Sequence, residues 1–219
     1  MFLVSCTSQM FDTQNQNPFF DQICNKYNFD FCSDVPYVEE IEIEKKVIEH
    51  HEANGGISRF EKFKIYHKQY LSIELDEVGI QKLANQFSDL VLTKVIDSPY
   101  IKGAYEFLVA NQGRYDLFIS TGTPTDEIET ILAIKNTRQY FEAVYGSPES
   151  KTSHVNKIIE ETSYQSRELV FIGDATTDRD AARNTGVHFI GRFTTSEAIK
   201  EEKYLIKDFC NLQKIIKAL

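Results

Sequence analysis

Residues 170–186 read "VFIGDATTDRDAARNTG", and most of the architecture can be worked out from them. The apolar run Val170-Phe171-Ile172 is short and rich in residues that favour strands, so it predicts a buried strand. Gly173 permits a sharp turn at its end. Asp174 then stands at the strand's carboxyl end, with Asp178 four residues further on. "TDRDAARNTG" predicts a short helix closed by Gly186.

The same grammar extends in both directions. "YDLFIST" and "FEAVYGS" predict strands before it, and "VHFIGR" one after it. "PYIKGAYEFLVANQG", "PTDEIETILAIKN" (with Pro124 in the first turn) and "SKTSHVNKIIEET" predict the intervening helices. Strands alternating with helices from Ser98 onward imply a parallel sheet covered on both faces. Ligands of such sheets gather at the carboxyl ends of the strands. Thr121, the segment 147–151 and the segment 174–178 are therefore expected to converge.

Upstream, residues 36 to about 95 predict helices only. "VEEIEIEKKVIEHHEANGG" stops at Gly55-Gly56, and "SRFEKFKIYHKQYL" spaces Phe60, Phe63, Tyr66 and Tyr70 three or four apart. Ser58 with Glu61 fits a capping box. "LDEVGIQKLANQFSDLVLTKVI" continues the helical period. The first 35 residues have no clear period and hold one basic residue, Lys26, of the chain's 24.

The chain has 219 residues, net charge −9 and pI near 5.1. An acidic chain without a basic run is a poor partner for nucleic acid or anionic membranes. No apolar run approaches membrane-spanning length. The opening "MFLVSC" lacks the basic head and long apolar stretch of an export signal. Four cysteines without C-x-x-C spacing read as free thiols of a cytoplasmic protein. The expected assembly is a monomer or homodimer.

Each polar spot has an ordinary explanation. Asp178 can cap a helix, Thr121 and Gly122 can form a turn, and Lys151 can be a surface lysine. Asp174 and Asp178 equally suit an oxygen-liganded Mg²⁺. A hydroxyl and free N–H groups at a helix start suit an anion. Lys151 beside the positive end of a helix is mildly unfavourable, which hints at a partner.

Together, a hydroxyl, a lysine about thirty residues on, and G-D-x-x-x-D, each at a strand end, resemble the haloacid dehalogenase (HAD) superfamily over residues 98–191. "YDLFISTGTP" is similar to its second motif, "GSPESK" to its lysine motif and "VFIGDATTDRDAARNTGV" to its metal motif. The resemblance implies a Rossmann-like three-layer α/β core, residues 1–14 and 96–219, with an inserted helical cap, residues 15–95. It implies Mg²⁺-dependent hydrolysis of phosphomonoesters of small sugars or organic acids. Thr121, Gly122 and Lys151 would bind phosphate, and Asp174 and Asp178 would organise Mg²⁺. "GGISRF" resembles the specificity loop of the phosphoglycolate phosphatase and β-phosphoglucomutase branch, so Arg59 would contact substrate; the alternative is an ion pair with an acidic neighbour.

Members of the family begin with a strand ending in D-x-D, the first Asp being the nucleophile and the second the acid and base. No such pair stands in the opening segment. A first strand on "FLVSC" puts Ser5 and Thr7 at the two positions. One before "MFDTQ" gives Asp12 as nucleophile with Gln14 at the acid position. "NFDFCSD" offers Asp30 with Cys32, with too little chain left for a cap helix. Two explanations compete: a natural non-catalytic relative, or a first 35 residues that are not the native start. In the second case the segment should be poorly ordered, and a central strand at residues 2–6 would contradict it. The resulting expectation is a phosphatase scaffold that is active through Asp12 and Lys151 or inactive for want of a nucleophile, with a phosphometabolite-binding pseudoenzyme or a sugar phosphomutase as alternatives.

Overall fold

The computed structural model describes residues 2–4, 37–54, 56–193 and 199–219. Asp12 and the rest of residues 5–36 lie outside them.

Six parallel strands form one sheet in the order β3-β2-β1-β4-β5-β6. They are β1 Phe2–Val4, β2 Leu117–Pro124, β3 Ala143–Ser147, β4 Val170–Gly173, β5 His188–Arg192 and β6 Leu205–Ile206. The helices are α1 Tyr37–Ala53, α2 Arg59–Ile65, α3 Glu77–Asp97, α4 Ala104–Asn111, α5 Thr125–Ile134, α6 Lys151–Thr162, α7 Thr176–Thr185 and α8 Leu212–Ile216. This is the doubly wound order, whose direction reverses between β1 and β4. The crevice of such a sheet opens beyond the carboxyl ends of those two strands.

β1 is central. Its backbone pairs with β2 (Val4 opposite Ile119) and with β4 (Val4 opposite Ile172). Of the three registers for the first strand, "FLVSC" is the one that coincides with it. Pairing on both edges also runs against the disorder expected of a foreign opening segment, over residues 2–4.

The period of two along the strands sorts their side chains between two cores. Leu117, Ile119, Val170 and Ile172 face one side, against Phe107 and Leu108 of α4 and Ile128, Ile131 and Leu132 of α5. Phe118 and Phe171 face the other, against Val155 and Ile158 of α6 and Ala181 and Ala182 of α7. Helices on both faces are what near-continuous apolar strands require.

The helices α1 to α3 precede this core. Asp76 caps α3 by accepting from Gly79 N at 2.7 Å. The capping box expected at Ser58 is not formed. Ser58 stands before α2 without a side-chain cap bond, and Glu61 turns to Lys64 at 2.9 Å instead. The loop carrying Ser58 packs on the core, where a Cβ added to Gly122 would lie 3.8 Å from Ser58 Cα. At the far end of α3, Lys135 Nζ donates to Ile96 O and Ser98 O, pinning the entry into the core.

Candidate functional site

The carboxyl end of β4 supplies the centre of the site. Asp178 has no exposed surface. Its Oδ2 accepts from the backbone N–H of Asp174 at 3.1 Å and of Ala175 at 3.0 Å, and its Oδ1 accepts from Lys151 Nζ at 2.5 Å. The carboxylate thus satisfies N–H groups at the start of α7 and meets the lysine from the start of α6. Lys151 is itself buried, at 7% exposure, so its charge is paired rather than solvated.

This contact needs Gly173. A Cβ added there would fall 2.2 Å from Asp178 Cβ and 2.4 Å from its Cγ. Gly173→Ala is therefore expected to displace Asp178 and destabilise the fold by about 1–3 kcal/mol, as overpacking does. Urea denaturation of the variant checks this.

Asp174 makes the second ion pair. Its Oδ2 accepts from Arg192 Nη2 at 2.9 Å, and Arg192 is 4% exposed. Strand register explains the meeting. Gly173 pairs with Gly191 across β4 and β5, so Asp174 and Arg192 are the next residues on adjacent chains. Burial and the neighbouring Asp178 push the Asp174 carboxyl above its usual range, against the pull of Arg192 and Lys151.

Thr121 and Gly122 lie within β2, at its carboxyl half. Thr121 is fully buried, and its Oγ1 accepts from Thr123 N at 3.1 Å. One loop joins this segment to the β4 side. Gly56 O would be 3.5 Å from a Cβ on Gly122, while a Cβ on Gly56 would meet Thr177 Oγ1 at 1.6 Å and Ala175 Cβ at 3.1 Å. The segment 56–58 therefore bridges the ends of β2 and β4. Only glycine fits at position 56 in this arrangement.

Arg59 follows that loop but turns to α5. Its Nη1 and Nη2 donate to Glu127 Oε2 and Oε1, both at 2.8 Å, and Nη1 also donates to Ser88 Oγ at 2.7 Å. The guanidinium lies 4.6 Å from the Phe87 ring centroid. Both charged side chains are about nine-tenths buried. The structure thus joins Lys151, Asp174 and Asp178 in one cluster, brings the Gly122 segment to its rim, and holds Arg59 in a clasp between α2, α3 and α5.

Three contributors escaped the sequence. Arg192 and Glu127 form pairs with residues 18 and 68 positions away. His154, unassigned from its spacing, is buried under β2 with Nδ1 2.8 Å from Ser120 Oγ and its ring stacked on Tyr145. Burial pushes its pKa down from 6.5 to about 4; Lys151 and Lys157 add to this, and Glu149 and the Gly146 carbonyl oppose it. Below pH 6.5 the unfolded chain takes up a proton that the folded chain refuses until about pH 4. Stability is thus full above pH 6.5 and is lost as pH falls through this window, by roughly 3 kcal/mol in all. Urea denaturation at either end of the window, with His154→Gln showing the shallower loss, measures it.

A divalent cation needs free oxygen ligands. Both oxygens of Asp178 and Oδ2 of Asp174 are engaged by protein donors. Among the described residues no group of three or more His, Cys, Asp and Glu could hold a metal ion. As they stand, the described residues do not fit Mg²⁺.

The haloacid dehalogenase-like hydrolase family model matches residues 36–192. No curated protein matches the chain. Solved structures with similar folds include a predicted phosphoglycolate phosphatase from Haemophilus somnus 129PT, with TM-score 0.72, 18% identity and coverage of 99% of this chain and 97% of that one. A predicted phosphatase from Clostridium acetobutylicum has TM-score 0.69, 18% identity and coverage of 100% and 98%. The HAD-hydrolase YfnB from Bacillus subtilis, bound to magnesium, has TM-score 0.67, 14% identity and coverage of 99% and 97%.

Proposed function

Because the chain belongs to the haloacid dehalogenase-like hydrolases, we propose that it holds the phosphate group of a small phosphorylated sugar or organic acid at the carboxyl edge of its sheet, and that hydrolysis by the aspartyl-phosphate route is lost in it. One observation carries this. β1 is paired on both edges at Phe2–Val4, and the residues that follow it in sequence at the two catalytic positions are Ser5 and Thr7. A serine attacking phosphorus would form an ester about as inert as the substrate, not a labile acyl phosphate. A threonine hydroxyl titrates too far from neutral pH to serve as general acid and base. In other hydrolases, removing the nucleophile lowers the rate by on the order of a millionfold.

What remains suits binding. The Thr121 hydroxyl and the backbone at Gly122 lie just before α5, and Lys151 opens α6. Backbone N–H groups at helix starts attract anions, and the buried lysine adds a point charge. Arg59 would reach a ligand only by giving up Glu127.

The second reading is a Mg²⁺-dependent phosphatase with Asp12 as nucleophile. The G-D-x-x-x-D spacing at residues 173–178 and the lysine of "GSPESK", both kept in the sequence, favour it. A sugar phosphomutase would use the same groups but yield an isomer instead of free phosphate. Calorimetry with a panel of sugar phosphates, alongside para-nitrophenyl phosphate turnover with Mg²⁺, separates these readings. Stoichiometric binding without phosphate release is expected. Steady turnover abolished by Asp12→Asn would overturn the reading of lost hydrolysis. Among the described residues no helix is long and apolar enough to cross a membrane.

A further inference from the structure

We propose that Arg192 takes the place of a divalent cation beside Asp174, so that this site receives its phosphate-bearing ligand without a metal. The inference rests on the phosphate-binding reading above. It starts from a disagreement between the residues and the cofactor that the fold family implies. Asp174 is the carboxylate at the carboxyl end of β4, and its Oδ2 is bonded to Arg192 Nη2 at 2.9 Å. Asp178 is committed to Lys151 and to two backbone amides. Among the described residues the two carboxylates of this cluster are matched by two protein cations, Lys151 and Arg192. A dication added to them would leave an excess of positive charge next to a buried guanidinium.

Arg192 is also poorly placed to step aside. It is the last residue of a strand paired on both edges, to β4 and to β6, and it is 4% exposed. Its register is fixed by Gly191, where a Cβ would come 2.7 Å from Leu205 Cδ2. A buried guanidinium at such a position needs a counter-charge, and Asp174 provides it. The geometry of the strand, not a flexible surface contact, thus brings the cation to the carboxylate. Ammonium and guanidinium donors suit phosphate oxygens as well as carboxylates, so an incoming phosphate would share Lys151 and Arg192 with Asp178 and Asp174.

The test uses the full chain, stripped with chelator, and two titrants. Calorimetric titration with MgCl₂ alone should give no binding in the millimolar range for the wild type. Arg192→Met, which removes the guanidinium from Asp174 Oδ2, should gain Mg²⁺ affinity by tenfold or more. Arg192→Gln, which keeps a donor without the charge, serves if the Met variant fails to fold. Inorganic phosphate should bind the wild type equally in EDTA and in Mg²⁺. Submillimolar Mg²⁺ binding by the wild type, or phosphate affinity raised tenfold by Mg²⁺, would overturn the proposal. Absence of phosphate binding in both buffers would end the phosphate-binding reading, while the MgCl₂ titration would still decide the role of Arg192.

Discussion

Asp178→Ala is expected to lower the stability of the chain by about 3–5 kcal/mol, the usual cost of stranding one partner of a buried ion pair. For a chain of this size that corresponds to a fall in melting temperature of roughly 6–20 °C. The reason lies in what the side chain holds. Lys151 would keep its charge at 7% exposure with the Asp178 carboxylate gone, and the N–H groups of Asp174 and Ala175 would lose this acceptor. The double variant Lys151→Met, Asp178→Leu should recover much of the loss, because it removes both charges together. Thermal and urea denaturation of the two proteins measure the effect. A loss below about 1 kcal/mol for the single variant would show that the pair is solvated.

Glu127→Ala is expected to have an effect of the same size, about 3–5 kcal/mol, for a different structural reason. Glu127 lies in the first turn of α5, where the helix dipole favours a carboxylate, and it receives both Nη atoms of Arg59 and the Ser88 hydroxyl. Without it the guanidinium keeps Phe87 and Ser88 but loses its counter-charge. A double-mutant cycle with Arg59→Met should give a coupling energy of about 1–3 kcal/mol. Protease cleavage between α1 and α3 should speed up in Glu127→Ala, since the clasp ties that helical segment to the core. Independent, additive effects of the two substitutions would contradict the clasp.

The fold was legible where strands are buried on both faces. "YDLFIST", "ELVFIGD" and "VHFIGR" are short apolar runs ended by polar residues, and each is a strand of the sheet. The end of α1 at Ala53, just ahead of the glycine pair in the sequence, and of α7 at Gly186 were legible because glycine ends helices for local steric reasons. β6 was not legible, since Leu205–Ile206 is too short to show a period. The clustering of Lys151 with Asp174 and Asp178 followed from topology, as each stands near a strand's carboxyl end. The partners of Asp174 and Arg59 could not be read. Arg192 reaches Asp174 only because Gly173 pairs with Gly191, and a register is invisible in a single sequence. Glu127 meets Arg59 across 68 residues, a contact that no local pattern announces. Asp12, one candidate for the nucleophile, lies outside the described residues.

Strands far apart in sequence bring Lys151, Asp174 and Asp178 together at the carboxyl edge of the sheet, with the Gly122 segment close by, and this edge is the proposed phosphate site. Tungstate, a heavy mimic of phosphate, reports on it directly through anomalous scattering from crystals of the full chain. One strong peak is expected within hydrogen-bonding distance of Lys151 Nζ, bounded by Gly122 on one side and Asp174 on the other. Ordered tungstate elsewhere on the molecule, with none beside Lys151, would contradict it.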